Sequence, residues 1–277
     1  MRDPRVFQIA FLSSFLALGL LGLEFRLEPL QAFLCVGSAL LTQAFFLKAL
    51  KLPEVGFLSA AVTGLGLSLL VRTDTLWVHP LAAFVGIAGK FLVRVRGKHL
   101  FNPANLGVVF ALLVTGRAWV SPAQWGHELS SAGWVILLGA VIALRARTAD
   151  VSLAFLASFL GLCALRILWL GQRWAVLGHR LDDASLILFT FFMISDPRTI
   201  PDSRRGRIAV AGLTALAAFA WQFGLYRQNG LFYALFLLTP TTALWDRLWP
   251  GEPHRWVPGD IDEKTPAPAG GGVPSPA

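Results

Sequence analysis

Apolar stretches follow one another along this chain with little between them, and about ten of them approach the 17–25 residues a helix needs to cross a hydrocarbon core. They fall near Val6–Leu23, Leu30–Leu47, Val55–Val71, Leu76–Val93, Ala104–Val120, Ala132–Leu144, Val151–Leu170, Ala184–Ile194, Ile208–Leu225 and Leu231–Trp245, the sixth and eighth being short. In lipid every backbone N–H and C=O must be satisfied inside the segment, so runs of this kind fold as helices. Only 14% of the residues are charged, where a soluble domain carries about 25%. The 10 Trp and 21 Phe suit interfacial belts and lipid-facing surfaces. The expected fold is an all-α polytopic membrane protein of about ten transmembrane helices, spread over residues 1–250.

The formal charge of +8 invites a nucleic-acid reading, but its distribution argues for topology instead. With the N-terminus inside, all but seven of the 24 Lys and Arg fall in loops on the cytoplasmic side, as the positive-inside rule expects. The exceptions are Arg26, Arg72, Arg117, Arg166, Arg173, Arg180 and Arg227. Both termini then come out cytoplasmic, and no nucleic-acid partner is expected. The basic start before the first apolar run lacks a small-residue cleavage site, so that run reads as a retained span. From Gly251 the chain turns to Pro, Gly and Ser, a composition that cannot bury a core, and residues 251–277 read as a disordered tail. Cys35 and Cys163 sit inside spans without ligand spacing and read as small core residues.

Two short turns interrupt the apolar pattern, Phe101-Asn102-Pro103 and Ser195-Asp196-Pro197. Proline ends the helix before it and leaves the neighbouring polar residue free to cap the next helix or face a ligand. Upstream of each lies a similar helix, Val55-Gly-Phe-Leu-Ser-Ala-Ala-Val-Thr63-Gly64 and Val151-Ser-Leu-Ala-Phe-Leu-Ala-Ser-Phe-Leu-Gly161. The spacing from helix to turn is roughly 46–48 residues in both, which suggests a weak repeat over about 30–120 and 132–226. Paired interruptions of this kind point to the working site of repeat-built membrane proteins.

Asn102 is placed to cap the fifth span with Pro103 at its first position, and Asn105 lies one turn in. The capped terminus, with Lys90 nearby, also reads as an anion or phosphate site. Asp196 is an acid at a depth where an unpaired charge is costly. It reads as a cap for span nine, a partner for Arg198 or Arg207, or a cation or proton site. Thr63, Gly64 and Gly66 read first as close-packing residues. The five His lie apart without ligand spacing, so no metal is assigned. There is no phosphate-binding Walker loop, dinucleotide fingerprint or nucleophile elbow.

These motifs resemble a family, the Rnf-D-like membrane proteins of Rnf-type electron-transport complexes together with their relatives in the sodium-pumping NADH:quinone oxidoreductase. The family pattern has a Ser-Ala-x-Val-Thr-Gly helix, a Lys before a Gly-containing loop, and Phe-Asn-Pro-Ala. Here these read Ser59-Ala-Ala-Val-Thr63-Gly64, Lys90, Gly97 and Phe101-Asn-Pro-Ala104. Its second half has Phe-Phe-x-x-Thr-Asp-Pro-x-Thr and then Arg-Gly-Arg, matched by Phe191-Phe-Met-Ile-Ser-Asp-Pro-Arg-Thr199 and Arg205-Gly-Arg207, with a late Asp at Asp246. The likeness covers about residues 30–250, and the joint order of two motifs makes it specific.

The resemblance implies a flavin-carrying component of a bacterial inner-membrane complex. Electrons would pass between it and partner membrane subunits, coupled to Na⁺ or H⁺ movement. Lys90, Asn102, Asn105, Asp196 and Thr199 would contact the cofactor. The family attaches FMN covalently through a Ser-Gly-Ala-Thr motif between spans five and six, and that motif is absent here. Its absence argues against covalent FMN and leaves a non-covalent FMN or riboflavin as the expectation. The rival readings on the same scaffold are a non-redox transporter or channel, and a scaffold protein that only docks partners.

Overall fold

The computed structural model describes residues 4–21, 28–53, 56–95, 97–120, 148–181 and 183–252. The described chain is mostly helical. In order it forms α1 (Pro4–Leu21), α2 (Pro29–Ala49), α3 (Phe57–Leu70), β1 (Val71–Thr73), α4 (Val78–Leu92), β2 (Arg94–Val95), β3 (Lys98–His99), α5 (Pro103–Val114) and β4 (Ala118–Val120). After 148 come α6 (Ala149–Leu170), α7 (Ala175–Leu181), α8 (Ala184–Leu188), α9 (Arg204–Phe219), α10 (Gly230–Leu238) and α11 (Thr242–Leu248). α8 runs on as a π-helical turn, Phe189–Met193, α9 does so over Ala220–Gly224, and a 3₁₀ turn, Thr239–Thr241, links α10 to α11.

Among the described residues, three helices are long and apolar enough to cross a membrane: Pro29–Ala49, Ala149–Leu170 and Arg204–Gly224. The other apolar helices are shorter, such as Phe57–Leu70, Val78–Leu92, Pro103–Val114 and Ala184–Met193. Apart from α7 (Ala175–Leu181), which no apolar run anticipates, each described helix begins in or within a few residues of an apolar run, but several stop early. The fifth run continues to Val120 in the sequence, yet its helix ends at Val114. Gly116 takes a left-handed φ of 61° there, and 118–120 pair as a strand with 71–73. The sixth run, Ala132–Leu144, and the tail beyond 252 lie outside the described residues.

Glycine decides where helices approach. A Cβ on Gly86 of α4 would collide with the Pro103 carbonyl of α5, and one on Gly107 would meet the Ala82 carbonyl at 2.7 Å. α4 and α5 therefore touch backbone to backbone, the small-residue packing that replaces a hydrophobic drive between helices in lipid. Gly64 plays the same part between α3 and α2, where a Cβ would come 2.8 Å from Val36 Cα. In the second half the core is aromatic. Phe155 of α6, Phe189 and Phe232 of α10 are buried, with the Phe189 ring 5.0 Å from Phe155 and 5.8 Å from Phe232. Each such pair contributes about 0.5–1.5 kcal/mol beyond its burial.

These contacts set two ends of the bundle. The starts of α1, α5 and α9 and the ends of α4 and the α8 π-turn meet at one end. The β1–β4 pair and the α7–α8 turn lie at the other. A two-strand hairpin, Arg94 opposite His99 and Val95 opposite Lys98, closes the first end between α4 and α5.

Candidate functional site

Asp196 lies just past the π-turn that ends α8. Its Oδ1 accepts the Arg198 N–H at 3.1 Å, which folds Asp196-Pro-Arg198 into a tight turn. Its Oδ2 accepts Asn102 Nδ2–H at 3.1 Å and faces His99 Nε2 at 3.4 Å. The two turns singled out in the sequence, 94 residues apart, therefore meet at one carboxylate. Burial pushes the Asp196 acid up, but the His99 ring, the Arg198 N–H and the Asn102 amide more than offset it and hold it below its ordinary range. It is a carboxylate at neutral pH.

Asn102 acts in two directions. Its Oδ1 accepts the Asn105 N–H at 3.0 Å, capping α5 with Pro103 in the first position as expected. Its Nδ2 is thereby turned toward Asp196. The cap orients the donor, so capping and site-building are one arrangement.

Around this carboxylate a crevice of about 60 Å³ runs between α1, α3, α4, α5 and the end of α8. Lys90, Asn102 and Asp196 line it, joined by Arg5, Gln8, Ser59, Thr63, Gly66, His99 and Arg198, with Leu12, Leu70, Leu188 and Phe192 as apolar walls. Thr63 and Gly66, which the sequence marks first as packing residues, face this space, whereas Gly64 packs on α2.

Two expected contacts lie elsewhere. Asn105 is buried and donates to the Phe232 carbonyl at 3.2 Å, tying α5 to α10. Thr199 is buried in the turn after Asp196, where its carbonyl accepts the Thr242 hydroxyl at 3.0 Å. Neither lines the crevice. Asp196 does not cap span nine. Ser203 does so, its Oγ accepting the Gly206 N–H at 3.1 Å. Arg207 pairs with Asp150 at 2.7 Å rather than with Asp196.

The sequence gives His99 no role, and it places Arg5 and Gln8 only at the start of a first span. A signal for His99 exists in its position three residues before the Asn102 cap. Its partner lies 97 residues away, beyond any local pattern.

A second cavity, about 260 Å³, opens at the opposite end. Arg180, Asp183, Ser185, Gln222, Gln228 and Asn229 line it with Phe159, Leu231, Phe232 and Val120. A flavin ring system needs a pocket near the usual range of about 300–1,000 Å³. The crevice at Asp196 is far too small for one, so Lys90, Asn102 and Asp196 do not fit a flavin in this arrangement. The second cavity comes close to that size and combines apolar walls with amide and guanidinium donors. Val120, at its edge, is the last described residue before 148.

No protein-family model matches the chain, and no curated protein matches it.

Proposed function

We propose that the chain is a membrane component of an Rnf- or Nqr-like electron-transport system and that the crevice around Asp196 is its ion-handling site. In this reading it crosses the bacterial inner membrane about ten times in two related halves, with both termini cytoplasmic. The observation that carries the proposal is the convergence of the Asn-Pro and Asp-Pro turns on the one Asp196 carboxylate. A half-buried acid held ionised by an amide, an imidazole and a backbone N–H, in a space of water size, suits a proton or a small cation rather than an organic substrate. Such groups mark ion paths in membrane proteins.

A flavin, when bound, supplies one- and two-electron transfer that side chains cannot. Arg180, Gln222, Gln228 and Asn229 are the residues that would hold it, in the cavity at the far end. Partner membrane subunits would exchange electrons with it there.

The small volume of the crevice also favours a second reading, a non-redox transporter that uses Asp196 alone. One preparation separates the two. The purified protein should be yellow, release its flavin on acid denaturation, and support Na⁺ or H⁺ flux in liposomes that falls at least tenfold in Asp196→Asn. Flux without a chromophore selects the transporter. Unchanged flux in a folded Asp196→Asn protein refutes the ion site in both readings.

A further inference from the structure

A short hairpin stands between the crevice and a charge cluster outside it. The β2–β3 hairpin carries His99 into the crevice and, one residue earlier, turns Lys98 the other way. Lys98 Nζ reaches Asp202 Oδ1 at 2.5 Å and Asp246 Oδ2 at 3.4 Å. Asp246 Oδ1 in turn accepts the Asp202 N–H at 2.7 Å. The Asp202 carbonyl accepts Arg207 Nη1–H at 2.8 Å, and Arg207 holds Asp150 at the start of α6. The side chains of Lys98, Asp202 and Asp246 are 13–20% exposed, sheltered enough for the pairs to matter more than open surface bridges do.

The consequence is mechanical. Adjacent residues on a strand point to opposite faces, so one strand is pinned on both sides, by Asp196 through His99 and by Asp202 through Lys98. The hairpin turns at Gly97, whose φ of 81° suits a residue without a Cβ. It closes with the Leu100 N–H on the Val93 carbonyl at 2.9 Å.

We propose that Lys98, clamped between Asp202 and Asp246, is a positioning residue that seats His99 on Asp196 and shuts this end of the crevice. Releasing the clamp frees the hairpin and opens a route from the surface to the Asp196 carboxylate. The clamp rests on the proposed ion site for its purpose, but not for its geometry. Asp202 and Asp246 do not line the crevice, so they act through the hairpin and not on the ion.

The test reads access rather than transport. In a protein carrying Cys35→Ala, Cys163→Ala and a reporter Ser59→Cys in the crevice wall, labelling by a small water-soluble thiosulfonate measures how open the mouth is. Lys98→Met should speed labelling about tenfold, Lys98→Arg should leave it slow, and the exchanged pair Lys98→Glu with Asp202→Lys should restore protection. A folded Lys98→Met protein labelled at the parent rate overturns the clamp. If Lys98→Met cannot be isolated, the exchanged pair decides alone: slow labelling supports the clamp, and fast labelling overturns it. Faster labelling in Lys98→Met alongside an absence of ion flux in the unmodified chain sustains the clamp and refutes the ion-site reading.

Discussion

Two carboxylates bracket the short buried helix α8, and their surroundings push them in opposite directions. Asp183 caps its start. Its Oδ1 accepts the Ser185 N–H at 2.8 Å and the Ser185 hydroxyl at 2.6 Å, and burial leaves its acid above the ordinary value despite these bonds. Asp196 follows its end, is half-buried like Asp183, and sits below the ordinary value. The difference lies in where the partners come from. Asp183 is served by its own next turn, the set of contacts that any N-cap Asp receives. Asp196 is served by a histidine and an amide brought from another part of the chain, in addition to its local N–H. An acid supplied by distant groups has cost the fold an arrangement. That is the stronger indication of a working site.

The largest expected effect follows directly. Asp196→Asn should cost at least tenfold in flux. It should also lower stability by about 1–3 kcal/mol, because His99 and Asn102 lose a charged acceptor. Thermal unfolding in detergent beside liposome flux separates the two consequences.

Next in size is Gly86→Val. Its new side chain has to displace the Pro103 backbone, with which a Cβ alone would already collide, and with it the Asn102 cap. Overpacking at such a crossing costs about 1–3 kcal/mol. Flux should fall as Asn102 leaves Asp196, whereas the Asp183 end stays intact. Equal loss of structure at both ends, read by hydrogen exchange, would contradict the idea that the two sites depend on different contacts.

Acid should distinguish the carboxylates by sign. Asp196, held below its unfolded value of 3.8, stabilises the fold above that pH, and the contribution disappears as pH falls through the lower folded value. Asp183, raised above 3.8, behaves in reverse: its contribution is present below 3.8 and is lost as pH rises through the raised value. Unfolding followed from pH 7 down to and below pH 3 should lose its acid-side step under pH 3.8 in Asp196→Asn and keep it in Asp183→Asn.

The smallest effect belongs to Asp183→Asn itself. Asn caps as well as Asp and carries no charge to desolvate, so stability at pH 7 should stay level or rise, within about 1 kcal/mol. A clear loss would mean that the Asp183 charge is used, and that the cavity beside it has a role resembling that of the crevice.

Reading the sequence goes furthest where the physics is local. The apolar runs mark most of the described helices, because an apolar stretch away from water satisfies its backbone within the segment. The Asn102 cap and the Pro103 start are legible because their partners lie within one turn. Thr63 and Gly66 are visible only as small residues on a helix, since nothing nearby shows whether such a face meets another helix or a cavity. The resemblance assigns Asn105 and Thr199 to the site beside Asn102 and Asp196. The fold sends each to a helix contact instead, Asn105 to Phe232 and Thr199 to Thr242.

From sequence alone come the helical, apolar character of the chain, the two proline-ended turns and the prominence of Asp196. These depend on residue type and on neighbours a few positions away. The tertiary structure decided that the two turns meet, that His99 joins Asn102 on the Asp196 carboxylate, and that Lys98 pairs with Asp202 and Asp246 outside the hairpin. Those outcomes rest on backbone contacts at Gly86 and Gly107 and on ion pairs spanning 104 and 148 residues. No local pattern encodes a contact whose two halves are that far apart.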